Sequence, residues 1–304
     1  MVNNYIEKIR ERLSDCNARL ILPEIGDPRI DLAYKDLKKT NIELVNIDDY
    51  NNFSDYIDHI KKKKFTKNWT GDMLEEYISV PINKALILLD LNYADCLVAG
   101  ATIPSANVIK SSIRIIGLDK KTRWVSSSFF MISSNGLNAY TYADCGVIPE
   151  PDANQLSSIA YNAAMSHKLI SQEEPKVAFL SFSTNGSAQH YTVDRMQEAM
   201  KKFSNKYPDI LCEGDIQFDA AINESVAMKK NSNSLLRGEA NVFIFPNLNA
   251  ANIAYKITQY LAGYSAWGPL LNGFNKPVHD LSRGCSADDI LYVSMIAALQ
   301  SQTN

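Results

Sequence analysis

Short apolar runs alternate with amphipathic stretches along most of the chain, and this alternation is the main structural signal in the sequence. Runs rich in β-branched and apolar residues predict strands at 18–24, 95–101, 122–132, 175–182, 240–246 and 268–274. Apolar residues at helical spacing predict helices at 29–40, 72–90, 104–115, 152–170, 191–205, 250–263 and 286–301. Strands alternating with helices indicate βα units and a mostly parallel sheet, so the fold class is α/β.

Two segments depart from this alternation. Residues 1–15 form a charged amphipathic helix pattern that lacks the apolar core of a signal peptide. Residues 138–151 predict an antiparallel or edge insertion, which ends at Pro149 and Pro151 because proline cannot donate to a sheet.

The composition indicates a globular protein and argues against several classes of binding partner. The chain has 304 residues, of which 46% are hydrophobic and 21% charged, which is typical of a globular protein with two lobes of roughly 150 residues each. The net charge of −3 argues against nucleic acid or an anionic membrane as the main partner. No apolar run approaches the roughly 20 residues that a membrane-spanning helix needs.

The cysteines and histidines indicate a cytoplasmic protein without a bound metal. Five cysteines are scattered without CxxC spacing, which favours reduced thiols over a disulfide framework or a zinc site. The four histidines show no metal-ligand spacing. We therefore expect no metal and no cofactor.

The turns that follow strands are the places to look for a site, since ligands in open α/β sheets bind beyond the carboxyl ends of strands. Glu24, Asp27 and Arg29 follow the first strand, although Asp27 before Pro28 is also a typical helix start. Lys110 and Arg114 lie one turn apart on a helix, where they present cations to a phosphate or are simply solvated.

Two later turns are rich in polar groups. SFSTNGSAQH (181–190) resembles a backbone-lined anion pocket, and Asn247 and Asn249 precede a helix that they either cap or complete as an anion site. Neither GxxxxGK[ST] nor GxGxxG occurs, so the usual phosphate loops of kinases and Rossmann dehydrogenases are missing.

The segment KPVHDLSRGCSADDI (276–290) concentrates reactive side chains. Ser286 and Asp289 fit a capping box at the start of the last helix, which gives Asp289 a structural explanation. Ser282 and Arg283 precede that helix, where a bound anion would meet a guanidinium and loop amides. The lysine run KKKKFTK (61–67) indicates a solvated helix end or, alternatively, a site that attracts a polyanion.

Several of these segments together resemble the phosphate acetyl/butyryltransferase family, in particular phosphate acetyltransferase. The resemblance runs from about residue 18 to the C-terminus. It rests on VSSSFFM (125–131), YADCGVIPEPDANQL (142–156), SFSTNGSA (181–188), GDIQFDAA (214–221), NVFIFPNLNAANIAYKI (241–257) and GFNKPVHDLSRGCS (273–286).

The resemblance implies two α/β lobes with a cleft between them, like isocitrate and isopropylmalate dehydrogenases, with the second lobe inserted in the first. The first lobe would comprise residues 1–132 and 271–304, and the second 133–270. The implied protein is a homodimer whose substrates are coenzyme A, acetyl-CoA, phosphate and acetyl phosphate. The implied reaction is acetyl phosphate + CoA ⇌ acetyl-CoA + phosphate, by direct thiolate attack in a ternary complex.

The family pattern also implies residue roles. Asp289 matches the general base, and Ser282 and Arg283 match the groups that hold phosphate and the developing oxyanion. Cys285 has no role as a nucleophile in this scheme. Candidate substrate or CoA contacts are Ser128, Ser183, Thr184, Asn249 and Lys110.

The chain departs from the family pattern at positions that are usually basic, namely Lys110, Gln189 and Tyr260. Lysine holds a phosphate only as a point charge, and tyrosine cannot replace the charge. Two alternatives therefore stay open: a relative that uses butyryl or another acyl group, and a member that binds CoA or acyl phosphate with little turnover. Phe129 and Phe130 are expected in the core.

Overall fold

A computed structural model of the chain describes residues 4–303. The first helix, α1, spans Asn4–Leu13, so residues 1–3 of the predicted N-terminal helix lie outside the described residues, as does residue 304 of the predicted first lobe. The chain divides into two compact units. Of the described residues, the discontinuous unit comprises Ile6–Arg123 and residues 268–303, and the middle unit comprises Trp124–Trp267 together with Asn4 and Tyr5.

The discontinuous unit is built on a four-stranded, fully parallel sheet. Its strands are β1 (Arg19–Ile21), β2 (Glu43–Leu44), β3 (Cys96–Ala99) and β10 (Val278–Asp280), in the order β10–β3–β1–β2. Its helices are α1, α2 (Pro28–Leu37), α3 (Phe53–Ile60), α4 (Gly71–Ser79), α5 (Pro81–Asp90), α6 (Ser105–Ile115) and α12 (Ala287–Ser301). The predicted helix 72–90 is therefore two helices, because Pro81 starts a new one.

The core of this unit lies beside its sheet. The central strand β3 is buried along its whole length, and α5 buries eight consecutive residues from Ile82 to Leu89. α12 likewise buries most of its faces, including Ile290, Val293 and Ile296. This continuous burial agrees with parallel strands and central helices that are covered on both sides.

The middle unit is built on a larger, mixed sheet. Its strands are β4 (Ser126–Ile132), β5 (Ala139–Ala143), β6 (Lys176–Leu180), β7 (Leu211–Ile216), β8 (Val242–Ile244) and β9 (Ser265–Asn272), of which Ser265–Trp267 belong to this unit. The order is β7–β6–β8–β5–β4–β9. Its helices are α7 (Ala153–Ser171), α8 (Tyr191–Lys206), α9 (Phe218–Ile222), α10 (Glu224–Lys230) and α11 (Leu248–Ala262).

The segment predicted as an antiparallel or edge insertion is partly as expected. β5 runs antiparallel to β4, with Ser128 opposite Ala143 and Ile132 opposite Ala139. It is not an edge strand, because its other side pairs in parallel with β8. Pro149 and Pro151 follow the strand, so they leave its interior hydrogen bonds intact.

The α/β class, with one unit inserted in the other, is confirmed. The boundary differs from the predicted one, which assigned residues up to 132 to the discontinuous lobe. Residues 124–132 belong to the middle unit because β4 pairs with β5 along five successive residues. Phe129 and Phe130 are buried there, as predicted, and Phe129 stacks on Tyr255 with ring centroids 4.1 Å apart.

Candidate active site

The loops that follow β1, β3 and β10 meet at one edge of the discontinuous unit's sheet. The three strands are adjacent and parallel, so their carboxyl ends face the same way. These loops carry residues 22–27, 100–104 and 281–286, three of the segments that the sequence marked as candidates. The arrangement brings Glu24, Arg29, Ser282 and Arg283 to one region of the unit.

Glu24 organises the loop after β3. Its carboxylate is buried and accepts hydrogen bonds from four successive backbone N–H groups, those of Gly100 (3.0 Å), Ala101 (3.1 Å), Thr102 (2.6 Å) and Ile103 (2.7 Å). The Thr102 hydroxyl donates a fifth, at 3.1 Å. These bonds compensate the buried charge and fix the backbone that leads into α6.

Arg29 connects all three loops. Its Nη2 donates to the Asp27 carboxylate at 2.7 Å and to the Ala101 carbonyl at 2.9 Å. Its Nη1 donates to the carbonyl oxygens of Arg283 at 2.8 Å and Cys285 at 3.1 Å. The hydrogen bonds from Arg29 hold the pKa of Asp27 at about 2, so the ion pair persists at neutral pH.

The structure also confirms Asp27 as a helix cap. Its side chain accepts the Arg29 N–H at 2.8 Å, and Pro28 occupies the first turn of α2. The interpretation of Asp27 as a cap was correct, but the role of Arg29 was missed. The only local signal was an arginine two residues after an N-cap aspartate. The carbonyl groups to which Arg29 donates lie more than 70 residues away in sequence, so the sequence did not reveal them.

Ser282 and Arg283 lie on the loop between β10 and α12 with exposed side chains. A tight turn holds this loop, because the Cys285 N–H donates to the Ser282 carbonyl at 2.9 Å. The Arg29 guanidinium anchors the next carbonyl, that of Arg283. The backbone is thus fixed while the hydroxyl and the guanidinium remain available to an anion.

Asp289 forms the capping box that the sequence predicts. Its Oδ2 accepts hydrogen bonds from the Ser286 N–H at 2.8 Å and the Ser286 hydroxyl at 2.9 Å. In return, the Asp289 N–H donates to the Ser286 Oγ at 3.1 Å. Both bonds to the carboxylate fall on Oδ2, so Oδ1 takes no part in the box.

Cys285 is a poor nucleophile in this position. The residue is buried, and burial is the largest of the effects that raise the pKa of its thiol to about 11. The nearby Arg29 charge lowers this pKa without offsetting the burial. The thiol is therefore protonated at neutral pH.

Lys110 lies in the same unit, on the exposed side of α6. Pro104 immediately precedes this helix, as predicted. Arg114, one turn further along, packs over the ring of Phe65 at 5.7 Å. Arg114 thus makes a packing contact, whereas Lys110, at the middle of α6, is exposed.

The remaining candidates belong to the middle unit. Ser183 and Thr184 lie in the loop after β6, and both are buried. The Ser183 hydroxyl accepts the Ala188 N–H at 3.2 Å, and the Thr184 Oγ1 accepts the Gln217 N–H at 3.0 Å. These side chains hold the loop together, and Asn185, Gly186 and Ser187 are among its exposed residues.

Ser128 and Asn249 differ in exposure. Ser128 is a buried residue of β4, opposite Ala143. Asn249 is exposed near the start of α11, while Asn247 caps that helix by accepting the Ala250 N–H at 3.0 Å. The capping interpretation is thus confirmed for Asn247, and Asn249 is the asparagine that remains on the surface.

Comparison with known proteins identifies the family. Residues 16–298 match the family described as phosphate acetyl/butaryl transferase. The chain belongs to this family. The phosphate acetyltransferase of Acetivibrio thermocellus is 36% identical over 327 residues, which cover 98% of both chains.

Solved structures agree with this assignment. The EutD phosphotransacetylase from Staphylococcus aureus matches with a TM-score of 0.89 and 34% identity over 98% of both chains. A phosphotransacetylase from Streptococcus pyogenes matches with a TM-score of 0.94 and 30% identity over 100% of both chains. The predictions of the family and of an acyltransferase enzyme are therefore confirmed.

Two of the residues that depart from the expected family pattern are exposed. Tyr260 is 78% exposed on α11, and Gln189 is exposed after the β6 loop. In the lysine run, Lys63 pairs with Asp90 at 2.5 Å and donates to the Ile115 carbonyl at 2.6 Å. Lys63 is thus a structural residue, while Lys61, Lys62 and Lys64 are exposed.

Three further properties concern the described part of the chain, residues 4–303. Within it, His, Cys, Asp and Glu residues nowhere cluster in a group of three or more that would suit a metal ion. Among the same residues, none of the helices is both long and apolar enough to span a bilayer. All five cysteines are free and buried.

Proposed function

We propose that this protein transfers an acetyl group between coenzyme A and inorganic phosphate, in the reaction acetyl phosphate + CoA ⇌ acetyl-CoA + phosphate. Family membership and relatives named phosphate acetyltransferase or phosphotransacetylase, at 30–36% identity over nearly the whole chain, support this choice. The observation that carries the proposal is the loop after β10, where exposed Ser282 and Arg283 precede Asp289 on a backbone that Arg29 anchors.

In the proposed reaction, Asp289 acts as the general base. The thiol of CoA has a pKa above about 8, so a nearby carboxylate is needed to generate the thiolate at neutral pH. The Oδ1 atom of Asp289 stands outside the capping box and takes the thiol proton. The sulfur then attacks the acetyl carbon, and the bond from that carbon to the phosphate oxygen breaks.

Ser282 and Arg283 stabilise the charge that develops in this step. The phosphate leaves with the electron pair of the broken bond, and a guanidinium can hold two of its oxygens at once. The Ser282 hydroxyl donates a hydrogen bond to the developing oxyanion. No acyl-enzyme, metal or cofactor takes part in the proposed mechanism, and CoA is a substrate.

The remaining candidates contribute to substrate or CoA binding in two ways. Lys110 and Asn249 are exposed and are proposed to contact phosphate groups or the acyl donor directly. Ser128, Ser183 and Thr184 are buried, so we propose that they shape the strand and the loop that bind substrate. The hydrogen bonds that the Ser183 and Thr184 hydroxyls accept within the unit support this indirect role for the two residues.

We further propose that the protein is a cytoplasmic homodimer. Ile253, Ile257, Tyr260 and Leu261 form an exposed apolar stripe on α11, which supports an interaction with a second copy. The buried free thiols are compatible with a reducing compartment. Light scattering on the purified protein measures the oligomeric state, and a monomer at micromolar concentration would contradict the dimer.

The acyl preference is tested by phosphate-dependent release of CoA from a panel of acyl-CoAs. A maximum with acetyl-CoA supports the proposal. A maximum with butyryl-CoA or a longer chain would assign the protein to the butyryl branch of the family. Binding of CoA without turnover would identify a member that retains ligand binding alone.

The catalytic assignment is tested with Arg283→Ala. We expect turnover to fall by about 10²–10³-fold with the fold retained, because removal of one oxyanion or phosphate donor typically has this effect. Arg237→Ala is the matched control, since Arg237 is exposed and pairs only at the surface with Glu224. Normal turnover in folded Arg283→Ala would defeat the assignment.

A further inference from the structure

Asp280, the last residue of β10, is a buried carboxyl that the proposed mechanism does not use. The residue is 2% exposed, and its Oδ1 has no hydrogen-bond partner among residues 4–303. A buried polar atom without a partner is costly, so its presence calls for an explanation. The residue lies two positions before Ser282 and three before Arg283.

Gly100 allows the carboxyl to lie against the end of β3. A Cβ at position 100 would lie 2.2 Å from the Asp280 Oδ1 and 2.7 Å from the Leu281 nitrogen. Gly100 also has a φ of +109°, which L side chains rarely adopt. The backbone of the loop that Glu24 holds therefore packs directly on Asp280, with no room for a larger residue.

Two donors beside Asp280 belong to the two segments that carry proposed site residues. The Leu281 N–H precedes Ser282, and the Ser105 hydroxyl lies at the first residue of α6, the helix of Lys110. Both favour the ionised form of the carboxyl. An ionised Asp280 is thus placed to hold the start of α6 and the loop between β10 and α12 in one arrangement.

We propose that Asp280 is a positioning residue for acetyl transfer, whose carboxylate orients the Ser282–Arg283 loop relative to the start of α6. This inference rests on the proposed function. The carboxylate acts through Leu281 and Ser105 and does not contact the substrate.

The surroundings of Asp280 give this role a pH dependence. Burial, with a smaller contribution from the Glu24 charge, raises the pKa of Asp280 to about 6, and the Ser105 hydroxyl and Leu281 N–H partly oppose this effect. The titratable or charged residues on the neighbouring elements are Glu24, Asp27, Arg29, Cys96, Lys110, Arg114, His279, Arg283, Cys285, Asp288, Asp289 and Tyr292. Because the Ser105 hydroxyl and the Leu281 N–H favour the ionised form, the proposed positioning is lost on protonation, and activity should rise as pH increases through about 6.

The test compares the pH profiles of kcat for the wild type, Asp280→Asn and Asp288→Asn. Asp288 is exposed on α12, so Asp288→Asn is a control that makes the same chemical change at a residue that is not buried. For Asp280→Asn we expect kcat to fall by roughly ten- to a hundredfold, as small displacements of catalytic groups typically cause, with KM for CoA little changed. The rise near pH 6 should disappear in Asp280→Asn and persist in Asp288→Asn.

Ser105→Ala provides a second variant if Asp280→Asn does not fold. Ser105 is an exposed residue, so removal of its hydroxyl should leave no buried cavity. Loss of this hydrogen-bond donor should raise the pKa of Asp280 and move the rise in activity to higher pH. Substrate ionisation is common to all the proteins compared, so only a difference between them reports on Asp280.

A purely structural role would lower stability without changing the pH profile. An unchanged profile in Asp280→Asn, or in Ser105→Ala if the first variant is unfolded, would overturn the inference. Absence of turnover in both the wild type and Asp288→Asn would instead overturn the proposed function, and this inference with it.

Discussion

At the scale of single residues, the segment 280–289 contains three carboxylates with three different environments. Asp280 is buried against Gly100, Asp288 is exposed, and Asp289 shares a capping box with Ser286. Their chemistry in isolation is the same, so their different roles arise from burial and hydrogen bonding.

The two roles of Asp289 can be separated by mutation. Asp289→Asn keeps an acceptor oxygen for the cap, so we expect the free energy of unfolding to change by less than about 1 kcal/mol. As the amide cannot take a proton, kcat should fall by about 10²–10⁴-fold. Urea unfolding and initial rates measure the two effects.

Ser286→Ala is the complementary variant. It removes one side of the same capping box and should lose about 1 kcal/mol of stability while kcat stays within a few-fold of the wild type. If Asp289→Asn is folded and fully active, Asp289 is a cap and not the base.

Cys285 provides a test of direct attack. Because burial raises the pKa of its thiol to about 11, Cys285→Ser should keep kcat within a few-fold, and alkylation of the native thiol at pH 7.5 should be slow. Initial rates and mass spectrometry after iodoacetamide treatment measure these outcomes. A loss of about 10²-fold or more in folded Cys285→Ser would favour an acyl-enzyme instead.

At the scale of elements, the start of α2 holds the loops of the candidate site in place. Arg29 lies in the first turn of this helix, yet its hydrogen bonds reach the loops after β3 and β10. A helix placed by the sheet thus determines the conformation of a loop more than 250 residues further along the chain.

Arg29→Lys should disturb both stability and turnover. Lysine cannot reproduce the forked contacts with the Arg283, Cys285 and Ala101 carbonyls, so we expect a loss of about 1–3 kcal/mol. Loosening of the catalytic loop should lower kcat by about tenfold or more. Urea unfolding and steady-state kinetics provide both values.

Lys35→Ala on the exposed side of α2 is the control, since surface changes of this kind usually alter stability by less than about 0.5 kcal/mol. Equal effects of Arg29→Lys and Lys35→Ala would show that the contacts of Arg29 do not support the loop.

At the scale of the whole molecule, two neighbours on β10 make stability depend on pH in opposite directions. Burial lowers the pKa of His279 from 6.5 to about 4, so the unfolded chain binds more protons between these values and stability falls as pH falls. The raised pKa of Asp280, about 6, means that the folded chain binds more protons between 3.8 and 6. The contribution of protonated Asp280 to the stability of the folded chain is therefore lost as pH rises through 6.

Single substitutions should expose these opposing contributions. Between pH 4 and 6, His279→Gln should become more stable relative to the wild type as pH falls, and Asp280→Asn less stable. Each relative change is on the order of 3 kcal/mol or less, from about two pKa units. Unfolding free energies at several pH values measure it, and parallel curves for all three proteins would contradict these pKa shifts.

Much of the fold was predictable because it depends on residues that are close together in sequence. Asp27 with Pro28, Asn247, and Ser286 with Asp289 each form the predicted cap, since capping depends on residues within one turn. Strand β7 was missed, because its sequence LCEGDI mixes two acidic residues and a glycine with the apolar ones. The short strands β2 and β10 were also missed, because two or three residues show no periodicity. They are strands only because parallel neighbours from distant parts of the chain pair with them.

The sequence by itself determined the α/β class, the helix caps and, through the family motifs, the candidates Ser282, Arg283 and Asp289. Only the tertiary structure decided that Arg29 anchors their loop, that Ser183 and Thr184 are buried, and that burial raises the pKa of Asp280 to about 6. The physical reason is that a cap is formed by residues within one turn. Burial, and the pKa shifts that burial causes, depend on which distant loops meet at the edge of a sheet.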